Sequence, residues 1–423
     1  MLNFTAERKN HMRAPKSFRL HIGIFGRRNA GKSSILNALT QQDVSIVSEV
    51  AGTTTDPVEK PMELLPLGPV LFIDTAGIDD EGGLGEKRIA KTMAVFDRTD
   101  LGIIVSNAND WGEYEEKLMG ELKGREIPFI VVFNKSDIYP EDLSITSHLD
   151  SVKINYVHTS VLLNEGILDL RQLVLKSAPA EFIERTTILA DLVGPGELAV
   201  LVVPIDKEAP KGRLILPQVQ SIRDLLDNDS LTMVVKEREL RAALSRLNIP
   251  PKLVVTDSQA FLKVAADTPP EIPLTSFSIL FARFQGDLLE MVKGAMAIDK
   301  LKSGDKVLIA EACSHHPIGE DIGTVKIPRW LTQYVGGKLQ IDNMRGHDFP
   351  ANLSEYKLII HCGACMWNRR TMLSRIIKAK QAGVPITNYG LTIAYSLGIF
   401  ERALQPFPAA LETYRSELKQ TNN

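Results

Sequence analysis

Cysteine is scarce in this chain, three residues in 423. So few thiols cannot build a disulfide framework, and a protein of the reducing cytoplasm is expected. An apolar run of about eighteen residues or more is also missing, which excludes a helical membrane span. Neither sign of charge prevails. Lys and Arg number 49 against 52 Asp and Glu, a net charge of −3, so no global basic field is available to hold nucleic acid. Internal repeats and low-complexity tracts are lacking too. Residues 1–17 form an N-terminal arm carrying Arg8, Lys9, His11, Arg13 and Lys16, without the apolar centre of a signal peptide. What remains is an ordinary globular composition, 44% hydrophobic and 24% charged, over a length that suits about two or three domains.

Residues 18–180 carry the strongest local signal. Arg19 to Phe25 is a strand, Gly26-Arg27-Arg28-Asn29-Ala30-Gly31-Lys32-Ser33 follows at once, and a helix begins at Ser34. This is a complete G-x-x-x-x-G-K-S loop in strand–loop–helix context. Its backbone N–H groups wrap phosphates, Lys32 reaches the β and γ oxygens, and the Ser33 hydroxyl binds Mg²⁺. Gly26, Asn29, Ala30, Gly31, Lys32, Ser33 and Ser34 are the expected cradle.

Later segments select GTP over ATP. Asp74-Thr75-Ala76-Gly77 puts Asp74 near the Mg²⁺ shell and the Gly77 N–H near the γ-phosphate. Asn134-Lys135-Ser136-Asp137 closes an apolar strand, and the Asp137 carboxylate accepts two donors that a guanine edge has and an adenine lacks. Ser160 and Val161 stand where a base-contacting loop is expected. Thr54, within Gly52 to Asp56, is the expected switch residue and Mg²⁺ ligand. Lys32, Thr54 and Gly77 are the candidates for the hydrolytic step.

These segments resemble the translation-factor-like GTPases of the tRNA-modification and ribosome-assembly type. The resemblance makes Asn29 the match of an asparagine that coordinates K⁺ beside the phosphates, where the cation would serve as an arginine finger does. Ile78 stands where a glutamine would orient water, which implies slow hydrolysis or another group. Glu86 matches a water-orienting carboxylate of one relative, although a solvated glutamate at a helix start needs no such role.

Residues 186–266 alternate strand and helix: strands at Leu198–Val203, Leu231–Val235 and Lys252–Val255, helices at Pro217–Asp227, Glu237–Leu247 and Ser258–Ala265. That rhythm means parallel crossover units. A sheet of three strands leaves edges bare, so pairing with a second copy, a homodimer, is expected.

Residues 270–423 hold every cysteine. Thr275 to Phe284 is expected as a strand, Gly286 to Leu301 as a helix, and Glu401 to Lys419 as a C-terminal helix. Between them, Cys313-Ser314-His315 follows the apolar strand Lys306–Ala310, and His361-Cys362-Gly363-Ala364-Cys365 follows the apolar strand Lys357–Ile360. Two strand ends would thus bring three thiolates to one sheet edge. Gly363 would ease the tight turn, and the helix Arg369–Ala382 would favour negative charge at its start. Three Cys with one His satisfy structural zinc. An iron–sulfur cubane would keep one iron for a histidine, a carboxylate or an outside ligand. A redox pair with one additional thiol is the plain alternative.

Cys-x-His followed by His-Cys-x-x-Cys, behind a GTPase domain, resembles the [FeFe]-hydrogenase maturation GTPases of the HydF family, from Gly26 to the end of the chain. The resemblance implies an α/β architecture: a P-loop GTPase domain, a small parallel α/β dimerisation domain, and an α/β iron–sulfur cluster-binding domain. It implies a [4Fe–4S] cluster on Cys313, Cys362 and Cys365, with His315 and His361 as iron ligands or as neighbours that tune the site. It also implies GTP and GDP with Mg²⁺ and K⁺, and a transient two-iron precursor as cargo. The implied partners are the [FeFe]-hydrogenase apoprotein and the radical-SAM maturases HydE and HydG. His316 and His347 match nothing in the family. The competing expectation is a ribosome- or RNA-associated assembly GTPase with a zinc module, which should show a basic face or stacking aromatics.

Overall fold

The computed structural model describes residues 19–40, 57–64, 68–75, 93–107, 110–179, 182, 187–204, 214–312, 321–346, 348–350 and 352–421. Thr54, Gly77, Ile78, Glu86, Cys313, His315, His316 and His347 lie outside the described residues. The chain divides into two units, Met1–Arg185 and Thr186–Asn423.

The first unit is a six-stranded sheet of β1 (Leu20–Phe25), β2 (Val58–Leu64), β3 (Gly68–Asp74), β4 (Leu101–Ser106), β5 (Phe129–Asn134) and β6 (Tyr156–Thr159). The order is β2-β3-β1-β4-β5-β6, with β2 antiparallel and the rest parallel. Helices α1 (Lys32–Thr40), α2 (Glu113–Gly124), α3 (Leu143–Ser151) and α4 (Ile167–Ser177) accompany it. The period-two strand geometry splits the apolar residues between two cores. Ile103 and Val105 share one core with Leu36 and Leu170. Ile104 shares the other with Phe25, Phe96 and Leu122. Strand order reverses at β1, between β3 and β4, and such a switch point opens a crevice at the carboxyl ends of the strands.

The second unit holds two four-stranded, all-parallel sheets over one continuous core. The first contains β7 (Leu198–Val202), β8 (Leu231–Val235), β9 (Leu253–Thr256) and β10 (Leu274–Ser276), in the order β10-β9-β7-β8. The second contains β11 (Lys306–Glu311), β12 (Gln340–Arg345), β13 (Leu358–His361) and β14 (Ile386–Asn388), in the order β12-β11-β13-β14. The helices used below are α5 (Leu216–Asp227), α6 (Phe261–Asp267), α7 (Phe277–Gln285), α8 (Leu288–Met296), α9 (Ile327–Val335), α10 (Arg369–Gln381), α11 (Tyr389–Ser396) and α12 (Pro408–Thr421).

Three expectations are corrected here. The strand expected over Thr275–Phe284 stops at Ser276, and the remainder is helix α7. Ser276 caps it by accepting the Ile279 N–H, a local signal stronger than an apolar run whose period fits either structure. The stub β10 then becomes a fourth strand beside β9, where three were expected. The C-terminal helix is two pieces, Phe400–Leu404 and α12, since Pro406 cannot continue a helix and Pro408 suits a first helical position. Strand β12 is an additional finding. Its sequence Gln-Ile-Asp-Asn-Met-Arg is polar because it is an edge strand, half covered.

Helix α8 rests directly on β14. A Cβ added at Gly294 would stand 1.9 Å from the Ile386 carbonyl oxygen, so the helix can approach only without a side chain there. Gly294→Ala is expected to lower the unfolding free energy of the second unit by about 2–3 kcal/mol despite the better helix propensity of alanine. Urea unfolding followed by circular dichroism checks this, and an unchanged midpoint would refute the close approach.

Candidate functional site

The phosphate loop leaves β1 through Gly26, whose φ is +143°. A Cβ there would lie 2.1 Å from the Val105 carbonyl, and one on Gly31 (φ +94°) would lie 2.2 Å from Asn134 Nδ2. Both glycines are therefore demanded by close approach to neighbouring strands. Asn29 occupies the left-handed region at φ 62°. Lys32 Nζ donates to the carbonyls of Gly26 (2.8 Å) and Arg27 (2.7 Å), so the loop curls around its own ammonium. The Ser33 hydroxyl donates to Asp74 Oδ2 at 2.9 Å. Asp74 reaches it from the end of β3, in register with Ile24 of β1. Asp74 Oδ1 is buried and has no partner among the described residues. A hydroxyl beside an orphaned carboxylate oxygen is a fitting pair of hard donors for Mg²⁺.

The side expected to meet the base is assembled from the ends of β5 and β6. Asn134 Nδ2 donates to the Ala30 carbonyl at 3.1 Å, and Lys135 Nζ to the Asn29 carbonyl at 2.7 Å. Asn134 also accepts from the Thr159 hydroxyl at 3.3 Å. The Ser160 hydroxyl donates to Asp137 Oδ1 at 2.6 Å, and the Ser136 N–H to the Thr159 carbonyl at 3.1 Å. Thr159 and Ser160 are thus fastened to the Asn134–Asp137 segment, with Val161 following, and Asp137 stands exposed at the surface. Asp137→Asn replaces an acceptor with a donor-bearing amide. Its preference for GTP over xanthosine triphosphate should fall on the order of 100-fold, the scale of two charge-assisted hydrogen bonds. Competition binding measures this ratio, and an unaltered ratio would remove Asp137 from base reading.

The cysteine region lies at the carboxyl edge of the third sheet. Strands β11 and β13 are parallel neighbours, with Ala310 opposite His361. The Cys362 N–H donates to the Ala310 carbonyl at 2.9 Å. The N–H of Ala312, the residue before Cys313, donates to Cys362 Sγ at 3.1 Å. Cys362 and Cys365 are each partly exposed. The residue in the left-handed region between them is Ala364 (φ 51°), and Gly363, expected to allow the turn, has no positive φ. Ala364 is buried and accepts the Trp367 N–H at 2.9 Å, so packing and hydrogen bonding hold the strained residue. The Asn368 side chain then caps α10.

His361 is fully buried, with Nδ1 2.9 Å from the Cys362 carbonyl. Arg375 Nη1 donates to its Nε2 at 2.9 Å. A guanidinium only donates, so Nε2 accepts and Nδ1 carries the proton. Burial first, and the Arg375 charge second, push this imidazole down to about 3. Arg375 is itself buried. It lies over Trp367 (4.2 Å) and Phe349 (4.6 Å) and donates to the carbonyls of Gly346 and Asp348, both at 2.8 Å. On the other flank, buried Glu311 accepts from Tyr389 Oη at 3.0 Å and Arg345 Nε at 2.8 Å, and Arg345 Nη2 reaches Asp321 at 3.2 Å. Burial, then the neighbouring Cys362 and Glu311, raise the Tyr389 hydroxyl well above its usual range. Arg345, Arg375 and Tyr389 escape sequence reading because each acts through the fold and belongs to no local motif. Among the described residues no group of three or more His, Cys, Asp or Glu is arranged to hold a metal, and Cys313 lies outside them.

Comparison with known proteins divides the chain in three. Residues 21–135 match the family described as 50S ribosome-binding GTPase, residues 188–286 the Hydrogen maturase F dimerization domain, and residues 289–406 the Hydrogen maturase F tetramerization domain. GTPase Der of Wolinella succinogenes is 40% identical over 129 residues, 30% of this chain and 27% of that protein. GTPase Der of Mycoplasmopsis pulmonis is 38% identical over 126 residues, 29% of each chain. The chain thus spans less than a third of the curated relatives it matches. Among solved structures, the G domain of the T. maritima FeoB iron transporter is 21% identical, covers 38% of this chain and 98% of that one, and has a TM-score of 0.31. The first unit carries a GTPase domain. With both Hydrogen maturase F domains following it, the chain belongs to the hydrogenase maturation GTPase family HydF.

Proposed function

We propose that this protein hydrolyses GTP and serves as a scaffold and carrier in [FeFe]-hydrogenase maturation. It holds a [4Fe–4S] cluster on Cys313, Cys362 and Cys365 and passes the two-iron precursor, its cargo, to the hydrogenase apoprotein. The radical-SAM maturases HydE and HydG are the sources of that cargo. The observation that carries the reading is the contact between adjacent strand ends, in which the residue before Cys313 donates to the Cys362 sulfur. A sulfur that already accepts an N–H is stabilised as a thiolate, and thiolate is the form that binds iron. Three thiolates leave one iron corner for exchange.

His361 works beside the metal in this proposal: both its ring nitrogens are used by Cys362 and Arg375, and it fixes the loop that presents the sulfurs. In the GTPase domain, Lys32 and the loop N–H groups bind the β- and γ-phosphates, and Ser33, Asp74 and Thr54 hold Mg²⁺. Gly77 contacts the γ-phosphate, and Asn29 places K⁺ against the charge that develops on transfer. Asp137, with Ser160 and Val161, reads the base. The dimerization and tetramerization domains make the working form an oligomer.

Anaerobic reconstitution with iron and sulfide analysis, followed by electron paramagnetic resonance of the reduced protein, tests the cluster. About four irons per chain are expected, and zinc without iron would overturn the proposal. Cys362→Ser should lose the cluster while GTP turnover stays within about twofold. A folded Cys362→Ser protein whose turnover fell with its iron would contradict two separate sites.

A further inference from the structure

Glu115 is a charged side chain with no solvent exposure, and its partner comes from the phosphate loop. Arg27 Nε and Nη2 donate to its two oxygens at 2.8 and 3.0 Å. Glu115 Oε2 also accepts the Gly112 N–H at 3.0 Å, which fastens the start of α2. The Arg27 guanidinium lies over the Tyr114 ring, 5.4 Å from its centroid. The other end of Arg27 is part of the loop itself. Its carbonyl accepts Lys32 Nζ at 2.7 Å and the Ala30 N–H at 3.4 Å. One residue therefore joins a buried carboxylate, 88 positions away in sequence, to the lysine that meets the phosphates.

We propose that Arg27 and Glu115 are a positioning pair that presets the phosphate loop for nucleotide. The proposal rests on the GTPase domain and is independent of the metal reading. A carboxylate removed from water is costly unless a planar fork satisfies it. The fork restricts Arg27 to one side-chain geometry, and this in turn fixes the carbonyl that holds Lys32. A loop fixed in advance loses less freedom when the phosphate arrives, and the benefit appears as affinity. The guanidinium faces Glu115 and Tyr114, so the pair acts through the main chain and should leave the chemical step alone.

The test uses the full-length protein. Glu115→Gln keeps the shape and an acceptor for the Gly112 N–H but sets an amide NH₂ against the guanidinium. GDP affinity by calorimetry should weaken about tenfold, KM for GTP should rise in parallel, and kcat should stay within about twofold. Arg27→Lys, a charge without the fork, should recover less than half of the wild-type affinity. Adding Arg27→Ala to Glu115→Gln should cost nothing further, because the two residues act as one unit. Wild-type GDP affinity in Glu115→Gln, with or without a lower melting temperature, would reduce the pair to packing and overturn the proposal. So would losses that multiply in the double variant. A wild-type protein that bound no GDP would remove the nucleotide reading itself, and the proposal with it.

Discussion

Parallel strands that stop together are the constraint on which both sites depend. In a parallel sheet the carboxyl ends share one edge, and residues just beyond them converge from distant parts of the chain. Gly26 to Lys32 leave β1, Asp74 ends β3, Asn134 ends β5, and Thr159 ends β6. In the second unit Glu311 ends β11 and His361 ends β13, and Cys362 follows at once. The register that sets Ala310 opposite His361 brings the Ala312 N–H to the Cys362 sulfur. A one-residue slip of either strand would turn its side chains to the other face and break that contact. The buried aliphatic residues of β11 and β13 therefore fix the chemistry at their ends.

The legible part of this protein was the contiguous part. A phosphate loop must be continuous, because successive N–H groups wrap one anion, so Gly26 to Ser33 can be read from sequence as one loop, and it joins β1 to α1. The Cys-x-x-Cys turn was legible for the same reason. Its detail was not: Ala364 takes the left-handed conformation, and what stabilises it is burial and the Trp367 N–H, neither of which is local in pattern. Helix α7 was missed because Phe277 to Phe284 is apolar nearly throughout, and such a run carries no period to distinguish helix from strand. Strand β12 was missed for the opposite reason, since an edge strand need not be apolar.

What sequence reading could not reach was the pairing of the arginines that brace the motifs. Arg27 stands within the phosphate loop and Arg345 and Arg375 outside any motif, yet they do similar work. Arg375 ties His361 to the carbonyls of Gly346 and Asp348. Arg345 joins Glu311 to Asp321, one on each side of Cys313 in the sequence. Arg27 joins Glu115 to the phosphate loop. In each case a planar fork with several donors crosses between segments that are apart in the sequence.

The choice of arginine suits the work proposed for these loops. A loop that binds an anion or a metal needs its own backbone groups and its thiols or hydroxyls turned toward the ligand, so those groups cannot also hold the loop in shape. An apolar side chain could supply shape, but only by burial, and the loop must stay open to its ligand. Guanidinium resolves the conflict. It stays charged at any physiological pH and binds main-chain carbonyls and carboxylates from behind. It also packs against aromatic faces such as Trp367, Phe349 and Tyr114. The rigidity of each site thus comes from residues that need never touch what the site binds, which is why motif and support could be read so unequally from the same sequence.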